Sequence, residues 1–251
     1  MSKICLVIGA TSGIGHSTAM KFAQEGYDLI ITGRNINALK EMSETFQSKY
    51  NINIKTVLFE LNKSDDSIRD LFDEINFLDI SVILISIGVL EVNNPARYDS
   101  YLKLLDVNFI GPSLIVHKIK NLVLEHREKI NRNISIIVIS SVAGDKGKSS
   151  NYLYGATKSA LTTYLSGIRQ ELYHVSKHVH ICTVLPGFVD TNMIKGMRLP
   201  KYLISSKENI AKSIYHAYKT KKDIIYVKSI WRLIMLVIRL IPEYIFKKLK
   251  L

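Results

Sequence analysis

Seven apolar runs recur along this chain: "KICLVI" (3–8), "DLIIT" (28–32), "IKTVLF" (54–59), "ISVILIS" (80–86), "ISIIVIS" (134–140), "VHICTVL" (179–185) and "DIIYV" (223–227). Each is separated from the next by a stretch long enough for a helix. Runs that are apolar from end to end, rather than alternating, are what strands covered on both faces require. The pattern predicts an α/β fold with a parallel sheet of about seven strands and helices on both faces. The 251 residues contain no internal repeat and no Ser/Gly/Pro-rich linker. One domain over 1–228 is therefore expected, followed by a C-terminal extension over 229–251. Before the last run, "SSKE" (205–208) has the Ser-x-x-Glu spacing of a capping box and predicts a helix start there.

The first run passes straight into "GATSGIG", with Gly9, Gly13 and Gly15 opening a helical pattern. Glycines let the backbone turn tightly and approach a pyrophosphate, whose charge meets the amide groups of the helix N-terminus. A doubly wound, Rossmann-like nucleotide-binding sheet follows. The second run ends in "TGRN". No carboxylate stands near Gly33 to accept from a bare ribose, and Arg34 can hold an extra phosphate instead, which favours NADPH over NADH. Ser12 occupies the loop position where a second basic residue would have strengthened that preference.

"YGATK" contains a Tyr-x-x-x-Lys spacing that puts a phenol and an ammonium on one helix face. The spacing alone carries nothing, because it recurs at Tyr173/Lys177, Tyr215/Lys219, Tyr218/Lys222 and Tyr244/Lys248. Tyr154 and Lys158 stand out because "ISSVAG" lies just upstream and ends a strand in Ser140 and Ser141, thirteen residues before Tyr154. Hydroxyls from a strand end and the next helix then meet at the carboxyl edge of the sheet, where ligands of such folds bind.

With "DVNF" (106–109) and "PGFVDT" (186–191) added, the chain resembles the short-chain dehydrogenase/reductase family over about residues 3–227. The resemblance implies an NADP-dependent oxidoreductase that transfers a hydride to a ketone. It implies Tyr154 as general acid, Ser141 orienting the carbonyl, Lys158 favouring the phenolate and gripping the nicotinamide ribose, and Asn108 holding a water that links Lys158 to solvent. Cofactor contacts carry over to Gly9, Thr11, Ser12, Gly13, Ile14, Gly15, Arg34, Glu60, Leu61, Gly88, Tyr154, Lys158, Pro186, Gly187, Val189 and Thr191. No metal is implied, and a homo-oligomer is. Two positions depart from the family: "SIGV" (86–89) keeps only Gly88 of the usual Asn-Asn-Ala-Gly, and Glu60 replaces a customary aspartate. Both concern the cofactor wall.

The net charge of +12 is a C-terminal feature: residues 195–251 hold 14 Lys and Arg against 3 Asp and Glu. A nucleic-acid reader would interleave basic and aromatic residues over a groove, so no nucleic-acid partner is expected. The tail "WRLIMLVIRLIPEYIFKKLKL" offers about twelve mostly apolar residues before Pro242, too few for a membrane span. Arg232 and Arg239 share one face, and Trp231 and Phe246 are expected on the apolar side of an element lying in a membrane interface, against a subunit or as a cap on the core. Cys5 and Cys182 lie within apolar runs and read as packing residues in a reduced compartment. With no signal-peptide pattern at the N-terminus, a cytoplasmic location is expected, on the inner face of a membrane if the tail binds one.

The tail, with "SIGVL" and "AGDKGKSSNYLYGATKSAL", is similar to bacterial reductases acting on a 2-keto pentose carried on decaprenyl or another polyprenyl phosphate in cell-envelope polysaccharide synthesis. That resemblance implies a flavin oxidase partner that makes the ketone. It also gives Lys195, Arg198 and Lys201, after Thr191, a place near an anionic substrate. Two alternatives stand beside it: a reductase of another carbonyl (ketoacyl, steroid-like or free sugar), and a non-catalytic nucleotide-binding sensor or scaffold.

Overall fold

The structure, a computed structural model, describes residues 3–61, 66–90, 98–194, 196 and 199–249; Lys195 and Arg198 lie outside them. Seven strands form one parallel sheet in the order β3-β2-β1-β4-β5-β6-β9. They are β1 (Ile4–Ile8), β2 (Asp28–Gly33), β3 (Ile54–Leu58), β4 (Ile80–Ile85), β5 (Ile134–Ile139), β6 (Val179–Pro186) and β9 (Ile224–Val227). Each matches one apolar run to within a residue. The reason is visible in β4 and β5, where every residue is buried because helices cover both faces. Between β6 and β9, β7 (Phe188–Val189) pairs in parallel with β8 (Ile204–Ser205) as a separate short ribbon.

Alternate strand residues feed two cores. Cys5, Val7, Leu29, Ile31, Val82 and Leu84 pack under α1 (Gly13–Gln24), α2 (Ile36–Tyr50) and α7 (Lys207–Thr220). Leu6, Ile8, Ile30, Ile83 and Ile85 pack under α3 (Asp66–Asp73), α5 (Gly111–Glu125) and α6 (Tyr152–Val175). A helix α4 (Tyr98–Leu105) joins α5 through a π-helical turn, Asp106–Ile110. The chain moves outward from β1 to β3, then returns to place β4 on the other side of β1. That reversal opens a crevice at the carboxyl ends of β1 and β4, where sheets of this kind take their ligands.

Two local expectations change. The helix after "SSKE" begins one residue later than the capping box suggests: Ser206 is the N-cap of α7, accepting from Asn209 N at 3.2 Å, while Ser205 is buried in β8. In the tail, α8 (Ile230–Leu240) stops at Pro242 and α9 (Glu243–Phe246) follows. Trp231 is not on the outward side: it is buried, with Met235, against Val142 and Leu185. Phe246 meets Lys146, whose ammonium lies 4.7 Å from the ring centre. No helix among the described residues is long and apolar enough to cross a membrane.

Candidate active site

The site is built where β5 ends and α6 begins. Ser140 is a structural tie, its hydroxyl donating to Lys158 O at 3.1 Å and bonding Thr162 Oγ1 at 2.8 Å, so the strand end is fastened to the middle of α6. Ser141 caps the short turn Val142–Gly144, accepting from Ala143 N at 3.1 Å. That turn presses on α6 so closely that side chains are excluded: a Cβ at Gly155 would lie 2.8 Å from Ala143 O, and one at Gly144 2.7 Å from Ser159 N. The approach brings Ser141 to Tyr154.

Tyr154 and Lys158 are one helical turn apart and both buried. Burial pushes the Tyr154 phenol up to about 12, and the Ser141 hydroxyl, able to donate to the phenolate, offsets part of the rise. The Lys158 ammonium donates to Ile139 O at 3.1 Å and lies 5.9 Å from the Tyr154 ring centre. Burial lowers its pKa to about 8. In the chain without cofactor, burial acts on both groups toward their neutral forms, raising the phenol and lowering the ammonium.

Asn108 holds the backbone next to this pair. It sits in the π-helical turn with its amide committed at both ends to one residue, donating from Nδ2 to Val89 O at 2.9 Å and accepting on Oδ1 from Val89 N at 2.8 Å. Its side chain thus fixes the exit of β4 beside Lys158. Gly88 fills the gap between them: a Cβ there would meet Asn108 Oδ1 at 3.2 Å and Lys158 Nζ at 3.3 Å.

The groove for a dinucleotide starts at Gly9, whose φ of +88° and closeness to Ser86 O leave no room for a side chain. Ser12, expected at the cofactor, is the N-cap of α1: its hydroxyl accepts from Gly15 N at 3.0 Å and bonds Ser86 Oγ at 3.0 Å. Ile14 is half-buried against the core under α1, and no acidic residue occupies the first turn of that helix. Thr11 lies over Gly33, its Oγ1 3.2 Å from where a Cβ would stand. Arg34, the next residue, is exposed. Glu60 is exposed too, while the side chain of Leu61 packs on Gly111.

The far end of the groove comes from β6 and β7. Pro186 is the buried last residue of β6, Gly187 donates to Val227 O at 3.1 Å, and Val189 is buried in β7. Thr191 returns over the glycine loop, its methyl 2.8 Å from a Cβ placed on Gly13. These residues fit a dinucleotide: glycines where it would pass, the amino end of α1, with no acidic residue in its first turn, for its phosphates and a wall over its far end. Two residues were missed as part of this wall. Lys207 lays its Cδ 3.2 Å from a Cβ on Gly13, and its charge adds to burial in lowering the pKa of His16 in α1. Trp231 covers Gly187. Both are brought in from distant sequence, by the packing of α7 on α1 and of α8 on the Ser141 turn. A cavity of about 630 Å³ lined by Arg169, His180, Lys221 and Asp223 lies at the opposite, amino edge of the sheet, away from this site.

Comparison with known protein families matches residues 3–201 to the short chain dehydrogenase family. The chain belongs to that family. It is 30% identical over 195 residues to the 3-oxoacyl-[acyl-carrier-protein] reductase FabG of Aquifex aeolicus, covering 76% of this chain and 75% of that one. Among solved structures it is similar to a short-chain dehydrogenase of Sphingobium yanoikuyae in complex with NADPH, with a TM-score of 0.79 at 17% identity over 97% of each chain. It is also similar to a short chain dehydrogenase/reductase of Burkholderia phymatum in complex with NAD, with a TM-score of 0.80 at 18% identity over 94% of this chain and 92% of the other. The short chain dehydrogenase match ends at residue 201, so Lys207 and Trp231 belong to the part of this enzyme that lies beyond it.

Proposed function

We propose that this oxidoreductase uses NADPH to reduce a ketone carried on a polyprenyl phosphate, a 2-keto pentose in cell-envelope polysaccharide synthesis being the substrate the sequence resembles most. The observation that carries the chemistry is the meeting of Ser141, Tyr154 and Lys158 at the carboxyl edge of the sheet. The bound cofactor supplies the hydride. As negative charge grows on the ketone oxygen, Tyr154 gives it the phenolic proton and Ser141 donates a second hydrogen bond. Lys158, a cation at neutral pH, stabilises the charge left on Tyr154 and holds the ribose. Asn108 acts as a positioning residue through Val89. Arg34 takes the phosphate that distinguishes NADPH, and the amides at the start of α1 face the pyrophosphate.

Support for a lipid-borne ketone comes from the wall next to Ser141, where Val142, Leu185, Phe188 and Trp231 form one apolar cluster, and from the basic charge gathered after residue 195. A substrate of that kind is met at a bilayer, so the reading includes a peripheral membrane contact through 229–251, and a flavin oxidase that supplies the ketone. Ile110, at the end of the π-helical turn, and Leu114 and Leu124 of α5 expose an apolar strip that supports a homo-oligomer. The second reading, a 3-oxoacyl reductase, is favoured by the likeness to the Aquifex aeolicus enzyme.

The test is NADPH oxidation by the purified chain with a polyprenyl-phosphate-linked 2-keto pentose, the same sugar without lipid, and a 3-oxoacyl thioester, with Tyr154→Phe as control. Turnover of the lipid-linked ketone alone, lost in the variant, supports the first reading. Preference for the thioester replaces it with the second.

A further inference from the structure

Helix α8 is apolar on two opposite sides. Its inner side, Trp231, Met235, Ile234 and Ile238, packs on Val142, Leu185, Phe188 and Tyr226. Its outer side presents Ile230, Leu233, Leu236, Val237 and Leu240 to solvent, with Leu233 58% and Leu240 73% exposed. A helix at a protein surface normally turns polar residues outward, and one that is apolar all round is covered by something. The only polar residues of α8 are Arg232 and Arg239. At 3.6 residues per turn both fall on the boundary between the inner and outer sides. Beyond Pro242 the same character continues, with exposed Tyr244, Ile245 and Leu249 beside exposed Lys247 and Lys248.

We propose that this outer side of α8 and α9 docks on an anionic lipid surface, with the apolar residues entering the headgroup boundary and the arginines and lysines reaching phosphates from its edge. The proposal deepens the reading of a lipid-borne substrate, on which its purpose rests. Charge decides the occupant. The only carboxylate of α8 and α9, Glu243, is already paired with Lys146 at 2.9 Å. A second copy of the same face would bring its own arginines and lysines against these with no free carboxylate to meet them, whereas an anionic bilayer supplies both partners the face lacks. Length decides the orientation: eleven residues extend about 16 Å, half a bilayer core, so the helix lies along the surface. Because the inner side of the same helix sets Trp231 on Gly187, docking places the lipid one helix away from the site wall.

The experiment uses the full chain and sedimentation with vesicles of phosphatidylcholine, alone or with one third phosphatidylglycerol. The wild type should pellet with the anionic vesicles and not with the neutral ones. Leu233→Ser/Val237→Ser and Arg232→Gln/Arg239→Gln should each weaken that binding about tenfold or more, while binding NADPH as tightly as the wild type. No binding to anionic vesicles, or equal binding by the variants, overturns the proposal. A wild-type dimer in light scattering that the leucine and valine changes split, without vesicle binding, overturns it in favour of a second copy. Vesicle binding as expected, with no turnover of the lipid-linked ketone, upholds docking and removes the substrate reading instead.

Discussion

The indole of Trp231 lies flush on Gly187, so that a Cβ at position 187 would overlap Nε1 and Cε2 of the ring. The contact joins the loop leaving β6 to a helix more than forty residues further along the chain. Phe188 completes it edge-on, with ring centres 5.5 Å apart. Among the described residues the buried indole N–H has no hydrogen-bond partner, so shape rather than polarity holds the ring there.

Gly187→Ala should therefore push Trp231 and α8 off the wall. Overpacking of a tight contact costs about 1–3 kcal/mol, and a domain of this size loses about 2–4 °C of Tm per kcal/mol. Thermal denaturation should show that loss, and the double change Gly187→Ala/Trp231→Leu should recover most of it. A single alanine variant with an unchanged Tm would mean the indole yields easily and does not define the wall.

Asn108→Leu removes both bonds to Val89 and strands a half-buried N–H and C=O, each at a cost of up to about 1–3 kcal/mol. The expected result is a lower Tm together with weaker NADPH binding, since Gly88 and Val89 are held by this amide beside Lys158. Loss of turnover with stability and NADPH affinity intact would instead return Asn108 to the proton path.

Lys158 should give stability and activity opposite dependences on pH. Its folded pKa, lowered by burial to about 8 from 10.5, leaves the unfolded chain holding a proton between those values that the folded chain has released. Stability of the cofactor-free protein therefore rises with pH across that window, and below pH 8 the full cost of burying the ammonium is present. Lys158→Met should raise Tm at pH 7 and change it little above pH 10.5. Ketone reduction by the wild type should fall as pH rises through about 8, because the cation is lost while Tyr154, near 12, keeps its proton. Reduction that stays level from pH 7 to 10 would show that the charge on Lys158 is not used.

The parts of this fold legible in the sequence are those fixed by near neighbours. Strands buried on both faces announce themselves as unbroken apolar runs, and the glycine loop and the Ser141, Tyr154 and Lys158 spacings are set within single turns or strand ends. What the sequence hides is set by packing between distant segments. Nothing near Lys207 indicates that α7 will lay it on Gly13. Trp231 looked like an interfacial aromatic because α8 has apolar residues on every side, and only the position of the Ser141 turn decides which side is buried. The amide of Asn108 names no partner in the sequence, and only the exit of β4 brings Val89 within 2.8 Å of it.

Cofactor choice can be read without substrate, because the chain has a single tryptophan and it stands on Gly187. A reduced nicotinamide bound near that residue absorbs where tryptophan emits, so titration with NADPH should quench Trp231 and give an affinity directly. Arg34 is exposed at the end of β2 beside Thr11, with no carboxylate in "TGRN" to take a bare ribose. Hydrogen bonds to a charged group contribute about 1.5–3 kcal/mol, so Arg34→Ala should weaken NADPH by roughly ten- to a hundredfold and leave NADH nearly unchanged. Lys207 lies instead over the start of α1, where the pyrophosphate common to both cofactors would sit. Lys207→Gln should thus weaken NADPH and NADH by similar factors, with a shallower salt dependence than the wild type. If Arg34→Ala weakens both cofactors equally, the arginine reads no extra phosphate and the preference for NADPH falls with it. If Lys207→Gln discriminates between them, the two cations have exchanged the roles their positions assign.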